Sequence, residues 1–447
     1  MKTLFAFLFC FMLLPYGKAQ NVPLKIDSLI SAYVNLNKFN GVALVAYRGK
    51  IIFEKGYGWK DFADKSLNNA NTIFQIGSIT KEFTAAVILK LIAQKKLGLE
   101  DKLSKFYPDF PKGDSISIKN LLTHTSGIPD YTHRPDFEKI SVIPTNEENM
   151  LAQLKQQPLE FSPGERFKYS NSGYVLLGYI IEKVTHQHYE RVVREMLLSP
   201  LKMENTGFDY KGLKSANKSQ GYTVFSVLEK KVCPVIDSSE FFAAGAMYST
   251  VGDLYKWHQG WQQGLVVTEE LVKAAYTPFK GTYGYGWDMD SVYNKQVVGH
   301  SGAMFGFRAK MVRIPSDDLF IILLNNRSDD PYLAAISKGI SAIVYQQPYV
   351  LPVPAARLSR KELKIYTGRY EFSSTDFADI LLVDGHLMGR SPRRTLELIA
   401  REKDHFWVME REGEEGEITF GRNGKGEVIE IYLNKGKGEI RVGKKTR

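Results

Sequence analysis

The segment Phe74-Gln75-Ile76-Gly77-Ser78-Ile79-Thr80-Lys81 contains a short apolar run, then a glycine, then the start of a predicted helix. The run predicts a brief strand that stops at the glycine. Beyond the segment, Phe83, Val87 and Leu91 recur at four-residue spacing, and most positions between them are apolar, which predicts a buried helix. Ser78 therefore lies at the start of that helix, where backbone N–H groups lack intrahelical partners and the helix dipole is positive.

Ser78 and Lys81 are one helical turn apart, so their side chains share a face of the helix. A hydroxyl, an amine and unpaired N–H donors at one place are the components of a covalent-catalysis site. The same S-x-x-K pattern also occurs at Ser199–Lys202 and Ser215–Lys218, and the segment alone is equally consistent with Ser78 as a helix N-cap. Support for catalysis must come from the rest of the chain.

The composition excludes several classes of protein. The chain has 59 Lys and Arg against 49 Asp and Glu, but these charges are interspersed and form no basic arm for nucleic acid. Its two cysteines, Cys10 and Cys233, support neither a disulfide framework nor a C-x-x-C metal or redox site. With 447 residues, 44% of them hydrophobic, the chain is long enough for two or three globular domains.

The N-terminus has the pattern of a secretory signal peptide over residues 1–19. Lys2 precedes an apolar run, Leu4–Leu14, and two small residues, Gly17 and Ala19, occupy the positions that signal peptidase favours. The run is too short to span a bilayer, so we expect no transmembrane segment in the mature chain. These features predict export, to the periplasm or outside the cell.

Strand patterns at both ends of a long first domain predict a single sheet. Two apolar runs flank Arg48-Gly49-Lys50, which indicates a hairpin, and three more strand patterns follow a region rich in helices and loops. We therefore predict an α/β (α+β) fold in which an antiparallel sheet is flanked by helices and carries an inserted helical region. The predicted strands are Val42–Tyr47, Ile51–Lys55, Gln296–His300, Phe307–Ile314 and Leu319–Leu324, and the predicted helices are Leu24–Leu36, Ser78 to near Gly98, Tyr174–Lys183 and Pro331–Tyr345.

A proline-rich linker and a change in pattern mark a second domain. Residues 346–358 contain three prolines, which predicts an extended and fairly stiff connection. Residues 359–447 show short alternating strands broken by turn pairs such as Asp384-Gly385 and Asn423-Gly424. We predict a small all-β C-terminal domain there, after a first domain that spans residues 20–345.

Three short motifs follow one another in the first domain: Ser78-Ile79-Thr80-Lys81, Tyr169-Ser170-Asn171 and His300-Ser301-Gly302. With them, residues 25–345 resemble the serine β-lactamase and penicillin-binding-protein superfamily, in the branch of class C β-lactamases, D-Ala-D-Ala carboxypeptidases, D-aminopeptidases and related esterases. The C-terminal domain resembles the lipocalin-like domain often appended to these hydrolases. Further landmarks of the resemblance are Leu121–Ile128, Pro163-Gly164, Ala243–Thr250, Tyr283–Trp287 and Tyr366–Tyr370.

The resemblance implies a role for the first two motifs. Ser78 would be the nucleophile that forms an acyl-enzyme, and its proton would pass to Lys81 or Tyr169. These side chains normally titrate at about 10.4 and about 10, so either base needs a pKa shift of about three units at neutral pH. Burial lowers the pKa of a lysine but raises that of a tyrosine, so we treat the two as a coupled pair. Asn171 would orient Lys81 and the substrate carbonyl.

The third motif would line the substrate site. The resemblance implies an oxyanion hole made by the backbone N–H groups of Ser78 and Ala303, with Ser301 and Gly302 in contact with substrate. His300 stands where class C β-lactamases have a lysine, and a histidine is neutral or only partly charged at pH 7. The motif is therefore more similar to that of the carboxypeptidases, aminopeptidases and esterases. It implies a small peptide, ester or peptidoglycan-fragment substrate, with no cofactor and no metal.

Other interpretations stay open. One is a true β-lactamase, and another is a penicillin-binding-like sensor that keeps the fold without turnover. An α/β-hydrolase would use Ser301, because Gly299-His300-Ser301-Gly302-Ala303 approaches G-x-S-x-G, but that motif requires a strand that turns into a helix. We predict a structural role for His124, and we predict that the C-terminal domain either covers the cleft or mediates self-assembly.

Overall fold

The computed structural model describes residues 21–225, 230–328, 332–352, 356, 358–392, 395–409, 415–434 and 440–446. The predicted signal peptide lies outside the described residues, as does part of the predicted linker. Of the helices within these ranges, none is both long and apolar enough to cross a membrane.

Helices fill most of the region between the early and late strands. The helix after Ser78 is shorter than the sequence predicts: it ends at Ala93, and Lys95 takes a left-handed conformation with φ 58°. Residues 93–96 are exposed there, so no burial favours a longer helix. The described α-helices are α1 Val22–Asn35, α2 Thr80–Ala93, α3 Ile118–Leu122, α4 Phe137–Ile140, α5 Glu147–Lys155, α6 Asn171–Thr185, α7 Tyr189–Val193, α8 Ser238–Gly245, α9 Val251–Gln262, α10 Glu269–Ala275, α11 Leu333–Val344 and α12 Arg360–Lys364.

Strands from both ends of the first domain form one antiparallel sheet, as the sequence predicts. The described strands of this domain are β1 Gly41–Tyr47, β2 Lys50–Tyr57, β3 Trp59–Asp61, β4 Ser66–Leu67, β5 Phe74–Gln75, β6 Tyr222–Phe225, β7 Lys230–Val232, β8 Tyr248–Ser249, β9 Asp288–Val292, β10 Lys295–Met304, β11 Phe307–Ile314 and β12 Leu319–Asn325. The large sheet has the order β2-β1-β12-β11-β10-β9, and the remaining strands form two-stranded pairs outside it.

Helices cover both faces of the sheet. Along β1, Val42 and Leu44 pack on the α2 side, while Ala43 and Val45 pack on the side of α1 and α11. This alternation follows from the two-residue period of a strand, and both faces are buried because both sets are apolar. Burying one such aliphatic side chain stabilises the fold by about 1.5–3 kcal/mol. The inserted helices therefore lie on one face of the sheet, the face on which α2 packs near β10.

The C-terminal domain is all-β, as predicted, and it is a closed eight-stranded barrel. Aromatic side chains fill its centre: Tyr366, Phe406 and Phe420 pack together with ring centroids 4.8–5.4 Å apart. These rings belong to a cluster of buried apolar side chains that forms the core of the described barrel. The strands are β13 Gly368–Ser373, β14 Asp376–Val383, β15 His386–Arg390, β16 Thr395–Glu402, β17 His405–Met409, β18 Glu415–Arg422, β19 Val428–Asn434 and β20 Ile440–Lys445.

The barrel contacts both the linker and the first domain. The backbone N–H of Ala356 donates to Ala400 O at 2.7 Å, which attaches the end of the linker to β16. From the first domain, Lys38 Nζ lies 4.7 Å from the ring centroid of Trp407 on β17. This cation–π contact adds a direct interaction between the two domains.

Candidate active site

Ser78 lies in a turn that two glycines bring against β10. Gly77 has φ 53°, and a Cβ on it would lie 2.6 Å from Ala303 N. A Cβ on Gly302 would lie 1.9 Å from Ile76 O. A side chain at either position would push strand and turn apart, so the glycines permit the close approach of Ser78 to β10. The turn is a single 3-10 turn that runs directly into α2.

Lys81 is fully buried, and its amine has three neighbours. Its Nζ lies 3.1 Å from Ser78 Oγ, 2.8 Å from Asn171 Oδ1 and 2.6 Å from Ala244 O. Burial lowers the pKa of Lys81 to about 7, although the charge of Asp130 opposes the shift. When the amine is neutral, its two N–H groups donate to Asn171 Oδ1 and Ala244 O, and its lone pair faces the Ser78 hydroxyl. This geometry suits removal of the serine proton.

Asn171 begins α6 and is held by Asp130, to which no sequence pattern points. Its Nδ2 donates to Asp130 Oδ2 at 2.9 Å, and its backbone N–H donates to the same oxygen at 3.1 Å. These bonds turn Asn171 Oδ1 toward Lys81, which is the expected orienting contact. Asn171 is also expected to contact the substrate carbonyl. In the structure, however, its Nδ2 points to Asp130 and, at 3.4 Å, to Thr132 Oγ1.

Tyr169 is the second candidate base, and its ring centroid lies 4.9 Å from Lys81 Nζ. Its hydroxyl is buried, and no described residue meets it in well-aligned hydrogen-bond geometry, although it lies close enough to the Ser78 hydroxyl to interact with it. Burial raises the pKa of the phenol, and the nearby Ser78 hydroxyl acts in the opposite direction. Burial therefore moves the two candidate bases apart, toward a neutral Lys81 and a protonated Tyr169. This balance favours the lysine as proton acceptor and the phenol as proton donor.

His124 packs behind Tyr169. The ring centroids of His124 lie 4.2 Å from Tyr169 and 4.6 Å from Tyr283. His124 Nδ1 accepts from the backbone N–H of Ser170 at 3.2 Å, and burial lowers the pKa of the ring well below its usual value. A neutral ring that accepts from the Tyr169 segment and packs on the Tyr169 ring is suited to holding Tyr169 in position.

His300 is buried and neutral. Its Nδ1 lies 2.6 Å from Ser301 O, which can only accept, so Nδ1 carries the proton. Its Nε2 then accepts from the Tyr283 hydroxyl at 2.8 Å. Burial, reinforced by the charge of Lys81, lowers the pKa of His300 to about 3. This position therefore supplies no positive charge near neutral pH, in line with what a histidine in place of lysine suggests.

The other residues of the third motif lie on an open strand edge. Strand β9 pairs with β10 only as far as Gly299, opposite Asp288, so no strand among the described residues lies beside the rest of that edge. Ser301 and Ala303 are exposed there, whereas Gly302 is buried against the Ser78 turn. A substrate laid along this edge would pass both Ser78 and Ala303.

The α/β-hydrolase interpretation is wrong. Strand β10 continues past Ser301 to Met304, and the next element is strand β11, whereas a nucleophile elbow requires a helix. The two other S-x-x-K copies, Ser199–Lys202 and Ser215–Lys218, lie in exposed or half-exposed turns and loops. Of the three copies, the one at Ser78 alone opens a buried helix.

Three residues of the site do not stand out in the sequence. Asp130 follows the Leu121–Ile128 landmark, and this loop position is the one sequence feature that could have pointed to it. Tyr283 belongs to another landmark, but its bond to His300 joins distant segments. Lys310 donates from β11 to Ser301 Oγ at 3.1 Å, which depends on strand register.

Comparison with known proteins agrees with this geometry. The family model described as Beta-lactamase matches residues 26–340. Penicillin-binding protein 4* of Bacillus subtilis (strain 168) is 29% identical over 381 residues, which cover 78% of this chain and 83% of the relative.

Two solved structures share the fold. The octameric penicillin-binding protein homologue from Pyrococcus abyssi aligns with a TM-score of 0.65 and 26% identity, over 94% of this chain and 99% of that one. The D-stereospecific amidohydrolase from Streptomyces sp. aligns with a TM-score of 0.59 and 24% identity, over 68% of this chain and 94% of that one. Because the family model covers well over half of the sequence, including all three motifs, the chain belongs to the beta-lactamase family.

Proposed function

We propose that the chain is an exported serine hydrolase that forms an acyl-enzyme on Ser78 and cleaves D-amino-acid peptides or esters. One observation carries the proposal: Lys81 Nζ lies 3.1 Å from Ser78 Oγ, and the pKa of this amine is lowered to about 7. An amine with its lone pair on a hydroxyl and a pKa near the working pH is well matched to general-base catalysis.

The reaction follows from these positions. Lys81 takes the proton of Ser78 as Oγ bonds to the substrate carbonyl carbon, and the backbone N–H groups of Ser78 and Ala303 stabilise the oxyanion. One such donor typically contributes about a hundredfold or more to the rate. As the bond to the leaving atom breaks, Tyr169 donates its proton to that atom, and the proton on Lys81 replaces it. A water oxygen then bonds to the acyl carbon, its proton passes through the same pair to Ser78 Oγ as the acyl–oxygen bond breaks, and the acid product leaves.

The relatives support the proposed substrate class. One is named a penicillin-binding protein, and one structural neighbour is named a D-stereospecific amidohydrolase. The signal-peptide pattern of residues 1–19 supports export. Carboxypeptidase, D-peptidase and esterase activities all require the same acyl-enzyme at Ser78, so one assay panel tests them together.

The test uses purified mature protein with p-nitrophenyl acetate and D-Ala-D-Ala peptides. We expect hydrolysis of at least one, lost in Ser78→Ala and retained in Ser215→Ala, which removes the serine of an S-x-x-K copy in a loop. Intact-mass measurement with a β-lactam should show an adduct on the wild type and none on Ser78→Ala. Equal behaviour of the wild type and Ser78→Ala toward every substrate would refute the proposal, and an adduct without any turnover would indicate a sensor.

The geometry is less suited to a true β-lactamase. His300 is neutral, so it offers no charge to a β-lactam carboxylate at the position where class C β-lactamases have lysine. We expect nitrocefin to be turned over well below about 10 per second, the median for enzymes. A rate above that value would show that the chain is a β-lactamase.

A further inference from the structure

The backbone of Phe242 is strained. Its φ is 37° and its ψ is −124°, whereas the other residues of α8 are helical, so the helix is kinked at this position. These dihedral angles are close to those of the first central residue of a type II′ turn, which glycine usually occupies because a Cβ is crowded there. A phenylalanine in this conformation costs conformational free energy. Contacts with the surrounding structure must therefore hold it there.

The ring of Phe242 makes those contacts. It stacks on Tyr179 of α6 with ring centroids 4.9 Å apart, and its centroid lies 5.0 Å from that of Tyr189 on α7. Gly178 makes room for the ring, because a Cβ on that glycine would lie 2.6 Å from a ring carbon of Phe242. Aromatic pairs in these arrangements are attractive beyond the area that they bury. Two helices thus anchor the side chain, and removing the ring would free the backbone to relax.

The kink sets the direction of the two carbonyl groups that follow it. Ala244 O accepts from Lys81 Nζ at 2.6 Å, and Ala243 O accepts from the Thr84 hydroxyl at 2.6 Å. The Thr84 hydroxyl has one proton, so it accepts in turn from the Tyr189 hydroxyl, also at 2.6 Å. In an unbroken helix both carbonyl groups would accept from N–H groups four residues further on. The kink directs them instead to the side chains of α2.

From this geometry we infer that Phe242 is a positioning residue for the proposed reaction, because its anchored ring holds the strained turn that aims Ala244 O at the Lys81 amine. The inference rests on the proposed role of Lys81 as general base. The lone pair of the neutral amine faces Ser78 only while its two N–H groups have their acceptors, Ala244 O and Asn171 Oδ1. If the turn relaxed, the carbonyl group of Ala244 would move away, and the amine would lose one of the two bonds that orient it.

Two truncations of the same ring separate positioning from packing. Phe242→Ala and Phe242→Gly both remove the anchor, but glycine adopts a φ of 37° without strain and alanine does not. We expect Phe242→Ala to lower kcat for p-nitrophenyl acetate by about a hundredfold with little change in KM, because a displacement of about 1 Å costs about that much. Phe242→Gly should keep kcat at least about tenfold above that of Phe242→Ala. Loss of packing alone would give glycine no such advantage.

The matched control is Phe241→Ala. The ring of Phe241 packs on Phe137 with centroids 5.4 Å apart, and its backbone has no positive φ. This variant should lower the unfolding temperature but leave kcat unchanged. Equal kcat values for the two Phe242 variants, or a loss of kcat in Phe241→Ala as large as in Phe242→Ala, would overturn the inference.

Thermal unfolding tests the strained turn without any substrate. We expect Phe242→Gly to unfold at the same temperature as Phe242→Ala or higher, although glycine normally destabilises a helix relative to alanine. A glycine variant that is clearly the less stable of the two would overturn the inference. Absence of hydrolysis by the wild type, with the expected order of unfolding temperatures intact, would support the strained turn and overturn the proposed function.

Discussion

Two buried tyrosines show that the two domains differ in how their buried polar groups are hydrogen-bonded. In the barrel, the hydroxyl of Tyr366 donates to Asp404 Oδ1 at 2.8 Å and accepts from the backbone N–H of Asp404 at 3.0 Å. In the cleft, the buried hydroxyl of Tyr169 lies beside the Ser78 hydroxyl but makes no well-aligned hydrogen bond to a described residue. A buried hydroxyl without a hydrogen bond costs about 1–3 kcal/mol. The cleft bears part of that cost beside Ser78, whereas the barrel avoids it.

Charged groups follow the same division. In the barrel, Arg422 pairs with Asp404 at 2.6 Å and Arg369 pairs with Asp379 at 2.7 Å, and all four remain partly exposed. In the cleft, Lys81 is fully buried and hydrogen-bonds to neutral oxygens only. The first domain therefore maintains an electrostatically unfavourable site, while the barrel is arranged for stability.

Replacing the buried lysine should have the largest effect. We expect Lys81→Met to lower kcat/KM by about 10²–10⁴-fold, the usual contribution of a general base. Stability should change little, because methionine removes the cost of a buried amine with a lowered pKa but leaves Asn171 Oδ1 and Ala244 O without their donor. Esterase kinetics and thermal unfolding measure the two effects. The control is Lys90→Met on the same helix, which should leave activity unchanged, and equal loss in both variants would contradict the role of Lys81.

Removing the Tyr169 hydroxyl, which makes no well-aligned hydrogen bond to a described residue, should separate activity from stability. We expect Tyr169→Phe to reduce kcat/KM by about a hundredfold or more, because the leaving atom loses its proton donor. The unfolding temperature should stay the same or rise, since the variant deletes a buried hydroxyl that has no described bond. Kinetics on an amide substrate and calorimetric unfolding report both quantities. A variant that keeps full activity would assign proton donation to another group.

The matching change in the barrel should give the opposite result. We expect Tyr366→Phe to destabilise the barrel by about 1–3 kcal/mol, because Asp404 loses a hydrogen-bond donor and its own N–H loses an acceptor. Denaturant unfolding, followed by the fluorescence of Trp407, measures this loss. Catalysis should be unaffected. If hydrolysis fell as far as in Tyr169→Phe, the two domains would be coupled more closely than their contacts indicate.

The pH dependence should show the smallest of these effects. The base acts when neutral, and the pKa of Lys81 lies at about 7, so protonation removes activity as the pH falls. We expect kcat/KM to level off above pH 8 and to be reduced about tenfold at pH 6. The profile is measured with p-nitrophenyl acetate, which does not ionise in this range. A flat profile from pH 5 to 9 would argue against a neutral lysine as the base.

Features that arise from local pattern could be predicted without the structure. Apolar runs predicted the sheet strands, four-residue apolar spacing predicted the helix after Ser78, and the linker, the alternating strands and the turn pairs predicted a separate β domain. The S-x-x-K motif was recognisable because helical geometry places Ser78 and Lys81 on one face wherever a helix forms. Such features depend on neighbours within a few residues, so they can be inferred without the fold.

Which groups carry charge, and which distant residues come into contact, depends on the complete fold. Lys81 and Tyr169 have similar pKa values in isolation, and burial moved them in opposite directions. Asp130 reaches Asn171, and Lys310 reaches Ser301, through a loop contact and a strand register that no local spacing encodes. The physical reason is that solvation and hydrogen-bond partners depend on everything that packs around a group, and those surroundings come from all parts of the chain.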